Sequence, residues 1–142
     1  MAGMETLRGA FLIMQANVLV ADDDPAQLAE MSDFLEHAGF SVIRAHDGHH
    51  AVELIARHRP RIMMLDVNMP GWDGVRVADA ARNLDHRAVI ILMTGDTDAL
   101  KYAISTDCGA VMAFPKPVEL PKLMSFLKST FGEIEPEAAV NL

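Results

Sequence analysis

Five short apolar runs punctuate the chain: Val18–Ala21 (VLVA), Ser41–Ala45 (SVIRA), Ile62–Leu65 (IMML), Val89–Met93 (VIILM) and Val111–Phe114 (VMAF). Each is about a strand long, and most lack polar alternation, the pattern of strands buried on both faces of a parallel sheet. Longer segments with helical spacing lie between them. In the first, Leu28, Met31, Leu35 and Ala38 recur on one helical face. Asp24 supplies its N-cap, Pro25 its first helical residue and Gly39 its stop. In the last, Leu120, Leu123, Met124, Leu127 and Phe131 form one stripe.

Strand followed by helix, five times over, predicts an α/β domain: a doubly wound, five-stranded parallel sheet with right-handed crossovers. Ser41–Ala45 carries Arg44 and is the most polar run, so it belongs at an edge. The fifth run ends at Pro115, which a central strand does not tolerate, so it takes the other edge. A 2-1-3-4-5 strand order meets both demands. It also places the loops after strands one and three at the topological switch point, where ligands bind.

Composition bounds what such a domain does. The chain has 142 residues, 51% hydrophobic and 23% charged, which is one domain's worth of soluble globular sequence. Its single cysteine, Cys108, allows no internal disulfide and argues against a cysteine-based zinc site. Twenty acidic against twelve basic residues give a net charge of −8, a poor surface for nucleic acid. No apolar run approaches the ~20 residues that span a bilayer. Gly9–Met14 (GAFLIM) is too short for a signal-peptide core and Glu5 precedes it, so the chain reads as cytoplasmic. Residues 1–16 read as an N-terminal extension, with Met14 an alternative start. Residues 17–131 read as the domain, and the acidic residues 132–142 as a flexible tail.

The chemistry-bearing residues fall at the C-terminal ends of the predicted strands. Strand one ends in Asp22-Asp23-Asp24. Strand three ends at Asp66, inside Leu65-Asp66-Val67-Asn68-Met69-Pro70-Gly71-Trp72-Asp73-Gly74. Strand four ends at Thr94-Gly95, and strand five runs into Lys116-Pro117. Carboxylates gathered this closely repel one another and call for a cation, and an all-oxygen set suits Mg²⁺ or Mn²⁺. Lys116 and the Thr94 hydroxyl can meet further phosphoryl oxygens. An Asp carboxylate is a competent nucleophile toward phosphorus once those oxygens are neutralised. This edge therefore suits making and holding an aspartyl phosphate.

In these motifs the sequence resembles the receiver domain of two-component response regulators, the single-domain, chemotaxis-regulator type, over roughly Asn17 to Phe131. Each motif alone is weak; all four in order, at the right strand ends, are specific. The resemblance implies a flavodoxin-like (βα)5 fold with Asp66 as phosphoacceptor. Asp23 then holds the metal directly, Asp22 holds it mainly through water, and the Asn68 carbonyl is a further ligand. Thr94 is the switch hydroxyl, and Lys116 pairs the phosphate. The Lys116–Pro117 bond is a cis candidate that would aim the ammonium inward. Gly95 leaves the pocket open. Asn68 and Asp96 stand where the family tunes phosphate lifetime, and both can orient an attacking water.

The donor implied is a histidine kinase or phosphotransfer protein. Output is phosphorylation-dependent protein binding or onward phosphotransfer to an unidentified partner. No enzymatic turnover is implied beyond self-phosphorylation and autodephosphorylation. The sequence departs from the family at Ala113, where a Tyr or Phe usually follows the switch hydroxyl inward. Phe114 faces the other side by strand alternation. Tyr102 is the substitute candidate: Leu100, Ala103 and Ile104 claim the core face of helix four, leaving Tyr102 exposed near the output face.

Plainer readings stand beside these. Asp24 is a helix cap. His46, His49 and His50 read as a solvated surface around Gly48, Trp72 as a partly exposed loop aromatic, and Met31, Met63, Met64, Met93 and Met124 as core filler. A receiver-fold module that is never phosphorylated is one alternative. An aspartyl-nucleophile Mg²⁺ phosphatase of the haloacid-dehalogenase type is another, although that class places its nucleophile after strand one.

Overall fold

The computed structural model describes residues 17–85 and 87–131. The expectations for residues 1–16 and 132–142 lie outside the described residues. Five strands, β1 (Asn17–Ala21), β2 (Ser41–Ala45), β3 (Ile62–Asp66), β4 (Val89–Thr94) and β5 (Met112–Pro115), alternate with five helices. These are α1 (Pro25–His37), α2 (Gly48–His58), α3 (Gly74–Leu84), α4 (Thr97–Ser105) and α5 (Leu120–Phe131). The sheet is parallel throughout, in the order β2-β1-β3-β4-β5. Both edge assignments made from Arg44 and Pro115 are met.

Alternation along the buried strands sends side chains into two separate cores. Leu19, Met63, Leu65, Ile90 and Leu92 pack under α2, α3 and α4 against Ile55, Val77, Ala78 and Ala103. Val18, Val20, Ile62, Met64 and Ile91 pack on the other face against α1 and α5, through Leu35, Leu123 and Leu127. The central runs thus carry no polar alternation because neither face meets water. Burying one such aliphatic side chain contributes roughly 1.5–3 kcal/mol. Met31, Met63, Met64 and Met93 are buried within these cores, and Met124 is packed against one.

Helix starts share one device. Asp24, Asp47, Asp73 and Asp96 are the N-caps of α1 to α4, and each side-chain carboxylate accepts backbone N–H bonds from the first turn. Pro25 is the first residue of α1, and Gly39 after its end has φ +100°.

Two expectations change. The fifth strand begins at Met112, where its pairing with Ile91 starts; Val111, one residue earlier, donates its N–H to the Ile90 carbonyl. Ile104 does not face the core: it is 70% exposed, while Ala103 is buried and Ala99 packs beside it. Leu100 is half-buried. The helix approaches the sheet along its alanines, which lets the backbones come close. The bulkier stripe, one position round, is left at the rim. Tyr102 is exposed, at 48%, as expected.

Candidate functional site

β1 and β3 are adjacent, so their C-terminal ends bring Asp22 and Asp66 together, and Asp23 follows one residue on. One carboxylate oxygen from each of Asp22, Asp23 and Asp66 lies within 4.8 Å of the others. Asp22 and Asp66 are buried; Asp23 is exposed. Burial raises the Asp66 pKa from 3.8 to about 6. The Lys116 charge opposes the rise, the Asp22 charge adds to it, and the Asn68 N–H, 3.2 Å from Asp66 Oδ1, works against it. Two of the three acids are thus held out of water, and at Asp66 the cost of burial outweighs the compensation, the condition in which a divalent cation is a good counter-charge.

β5 ends beside β4 and carries Lys116 in over the acids. Its ammonium donates to Asp22 Oδ2 at 2.8 Å and lies 3.4 Å from Asp66 Oδ2. The Lys116–Pro117 peptide is cis, as the sequence suggested. Thr94, at the end of β4, is buried, and its hydroxyl oxygen accepts from the Asn68 side-chain amide at 3.2 Å and from the Asp96 N–H at 3.1 Å. Asp96 itself caps α4, its Oδ1 accepting from Asp98 N at 2.9 Å and Ala99 N at 3.4 Å. One of its oxygens is therefore committed to the helix.

The loop after Asp66 is fixed by two glycines. A Cβ on Gly74 would overlap the Asp66 carbonyl oxygen, and one on Gly48 would overlap the Trp72 backbone. Trp72 is half-buried, with the Arg76 guanidinium 4.1 Å above its ring and the His49 ring 5.7 Å away. His46, His49 and His50 sit on this outer side and are not among the acids.

A cavity of about 610 Å³ opens over the acids. Asp66, Asn68, Gly95, Asp96, Lys116 and Pro117 border it, and it continues past Gln27, Glu30 and Met31 of α1 to Val118 and Leu120. Tyr102 does not reach it. Ala113 packs on the α2–α4 side of the sheet, while Phe114 is buried on the α1–α5 side with its ring 6.0 Å from Phe126. No aromatic ring therefore follows Thr94 in β5. Sequence reasoning missed Gln27, whose side-chain oxygen accepts from Lys116 Nζ at 2.6 Å. Its place three residues after the Asp24 cap marks it as a first-turn residue of α1 but does not point to Lys116.

Among the described residues, no helix is long and apolar enough to cross a membrane. Residues 18–128 match the family described as the response regulator receiver domain. The response regulator MprA of Mycobacterium tuberculosis is 33% identical over 126 residues, which cover 89% of this chain and 55% of that protein. MprA of Mycobacterium leprae is 32% identical over 122 residues, covering 86% and 54%. The chain thus spans about half the length of the curated relatives it matches. Among solved structures, the chemotaxis protein CheY4 of Vibrio cholerae has 28% identity and a TM-score of 0.72, over 81% of this chain and 98% of that one. The CheX–CheY–BeF3–Mg complex of Borrelia burgdorferi has 27% identity and a TM-score of 0.72, over 83% and 90%.

Proposed function

The chain belongs to the response regulator receiver domain family, and from that premise we propose that Asp66 accepts a phosphoryl group from a histidine kinase or phosphotransfer protein. The observation that carries this reading is the convergence of three carboxylates and one ammonium at the mouth of a cavity. In the transfer, an Asp66 carboxylate oxygen attacks the phosphorus of a phosphohistidine. The P–O bond forms as the P–N bond breaks, and the imidazole leaves with the bonding pair and takes up a proton.

The residues present fit a divalent metal. Asp22, Asp23 and Asp66 would hold Mg²⁺, or Mn²⁺ in its place, with Asp22 acting mainly through water and the Asn68 carbonyl as a further ligand. When bound, the ion neutralises the acids and a phosphoryl oxygen. Lys116 pairs a second oxygen. The Thr94 hydroxyl, whose oxygen already accepts two bonds, has its proton to give to a third. Asn68 and Asp96 border the cavity and control water there, so the phosphoryl group lasts on the order of minutes rather than hours. An Asn68→Arg, Asp96→Arg pair slows its decay.

Phosphorylation biases an equilibrium between two surfaces, and output is protein binding or onward phosphotransfer in the cytoplasm. Tyr102 and Ile104 of α4, with exposed Val111 and Met112 at the entry to β5, form the partner face. With Ala113 in place of a ring, the change at Thr94 travels through the Asn68 amide and the α4 N-terminus, both bonded to its hydroxyl.

Intact mass after incubation with a small phosphodonor and Mg²⁺ tests the reading, with Trp72 fluorescence followed in parallel. Wild type gains one phosphoryl group and Asp66→Ala gains none. No gain in wild type, under conditions that label a known receiver, replaces this function with that of a receiver-fold module that is never phosphorylated.

A further inference from the structure

Asp24-Pro25-Ala26-Gln27 has the spacing of a capping box, in which the side chain three residues after the cap folds back onto the cap's own N–H. Here that N–H is already taken: Asp24 N donates to Asp22 Oδ1 at 2.9 Å. The Gln27 amide turns elsewhere. Its Nε2 donates to Asp24 Oδ2 at 3.4 Å, and its Oε1 accepts from Lys116 Nζ at 2.6 Å. The two ends are not interchangeable. A flipped amide would set N–H groups against the ammonium and an oxygen against the Asp24 carboxylate.

Lys116 has three N–H donors and three acceptor neighbours. Asp22 Oδ2 at 2.8 Å and Asp66 Oδ2 at 3.4 Å both belong to the acid cluster. Gln27 is the third, and it is neutral and outside the cluster. A divalent cation among the acids draws both carboxylates toward itself and repels the ammonium, which weakens two of the three attachments. The bond to Gln27 is not weakened in this way. The Lys116 side chain is 17% exposed while Gln27 stands at the surface, so the bond lies at the edge of the site and water competes for it from the Gln27 side only.

We propose that Gln27 is a positioning residue whose side-chain oxygen holds the Lys116 ammonium against α1 and facing Asp66 when a cation fills the acid cluster. The hydrogen bond stands on the geometry alone. Its consequence for a phosphoryl group rests on the reading of Asp66 given above. A fixed donor meets developing charge without reorganising, so the loss of Gln27 weakens retention of a tetrahedral anion at Asp66.

Two measurements on the full chain test this. In metal-free protein and again with Mg²⁺, the Lys116 ammonium is followed by ¹H–¹⁵N correlation. Gln27→Met, of equal length and with only a weak sulfur acceptor, shifts the signal and speeds its proton exchange severalfold, most strongly with Mg²⁺. Gln27→Glu, which keeps an acceptor oxygen, restores slow exchange. Beryllofluoride with Mg²⁺ then serves as the tetrahedral probe, read by Trp72 fluorescence. Gln27→Met weakens its binding about three- to tenfold, the range of one ordinary hydrogen bond lost at an exposed position. An unchanged Lys116 signal overturns the proposal, and so does unchanged or tighter beryllofluoride binding in Gln27→Met. A wild type that binds no beryllofluoride overturns the phosphoacceptor reading instead, while the Lys116 signal still judges the Gln27 contact.

Discussion

The carboxyl ends of β1 and β3 and the outer rim formed by α4 and β5 invert the usual rule of burial in opposite senses. At the first, Asp22 and Asp66 are buried charges with a single nearby ammonium. At the second, Tyr102, Ile104, Val111 and Met112 are exposed apolar side chains. A domain with two well-filled cores has no folding reason to bury two acids, whereas exposed apolar side chains are common on any surface. The first costs stability until a positive charge arrives, and the second leaves apolar area in water until something covers it. On the function proposed above, the difference sorts the partners: a cation and a phosphoryl group to the acids, a protein to the rim.

The sharpest way to break the comparison is to disturb the scaffold under the acids. Gly74 admits no side chain because a Cβ would overlap the Asp66 carbonyl oxygen. Gly74→Ala must move the loop that carries Asn68, and an effect of about 2–4 kcal/mol on unfolding is expected, measured by denaturant titration. Mg²⁺ affinity falls with it. Lys116→Met comes next. It strips the buried acids of their nearby cation and destabilises the domain by about 2–3 kcal/mol at pH 7, a partly buried pair being worth less than a fully buried one. Combining it with Asp66→Asn recovers only part of that loss, because Asp22, which accepts from the ammonium at 2.8 Å, stays charged and buried.

Asp66→Asn alone sharpens the comparison, because it stabilises. The Asp66 pKa is about 6 in the folded chain against 3.8 ordinarily, and burial is the main cause. Folding therefore favours the protonated acid. The stability this confers is fully present below about pH 4 and is lost as pH rises through about 6. Above that, the folded protein carries an unfavourable charge. At pH 7, Asp66→Asn gains about 1–3 kcal/mol over metal-free wild type, and the gain shrinks toward zero near pH 4. Thermal unfolding across pH in a chelator measures both. Mg²⁺ at ten times its dissociation constant raises wild-type stability by about 1.4 kcal/mol, and EDTA removes that gain. Asp66→Asn responds less to either addition.

What the sequence made legible follows the same division. The buried strands declared themselves as apolar runs. Arg44 and Pro115 marked the two edges, and the acids, Thr94 and Lys116 stood at strand ends that parallel topology must bring together. What stayed hidden depended on choices between near-equal neighbours. Helix α4 carries two apolar stripes one residue apart, and only close approach to the sheet selects Ala99 and Ala103 over Leu100 and Ile104. Gln27 meets a lysine 89 positions away, and no local pattern announces that contact. The second duty of Asp96, as a cap, became visible only with the first turn of α4 in place.

The smallest effect on folding is expected at the rim, and there a null result in one assay sharpens the meaning of the other. Ile104 is 70% exposed and Tyr102 48%, so Ile104→Ser and Tyr102→Ala leave few packed atoms without neighbours. Both should lie within about 0.5 kcal/mol of wild type in denaturant titration. If the rim is a partner face, the same changes lower affinity for the partner captured by the phosphorylated domain, and they leave phosphorylation at Asp66 untouched. Equal affinity in both phosphorylation states after Tyr102→Ala, with wild type discriminating between them, assigns the discrimination to the tyrosine. Unchanged affinity in both states removes Tyr102 from the output, and exposed Ile104, Val111 and Met112 then carry it without an aromatic.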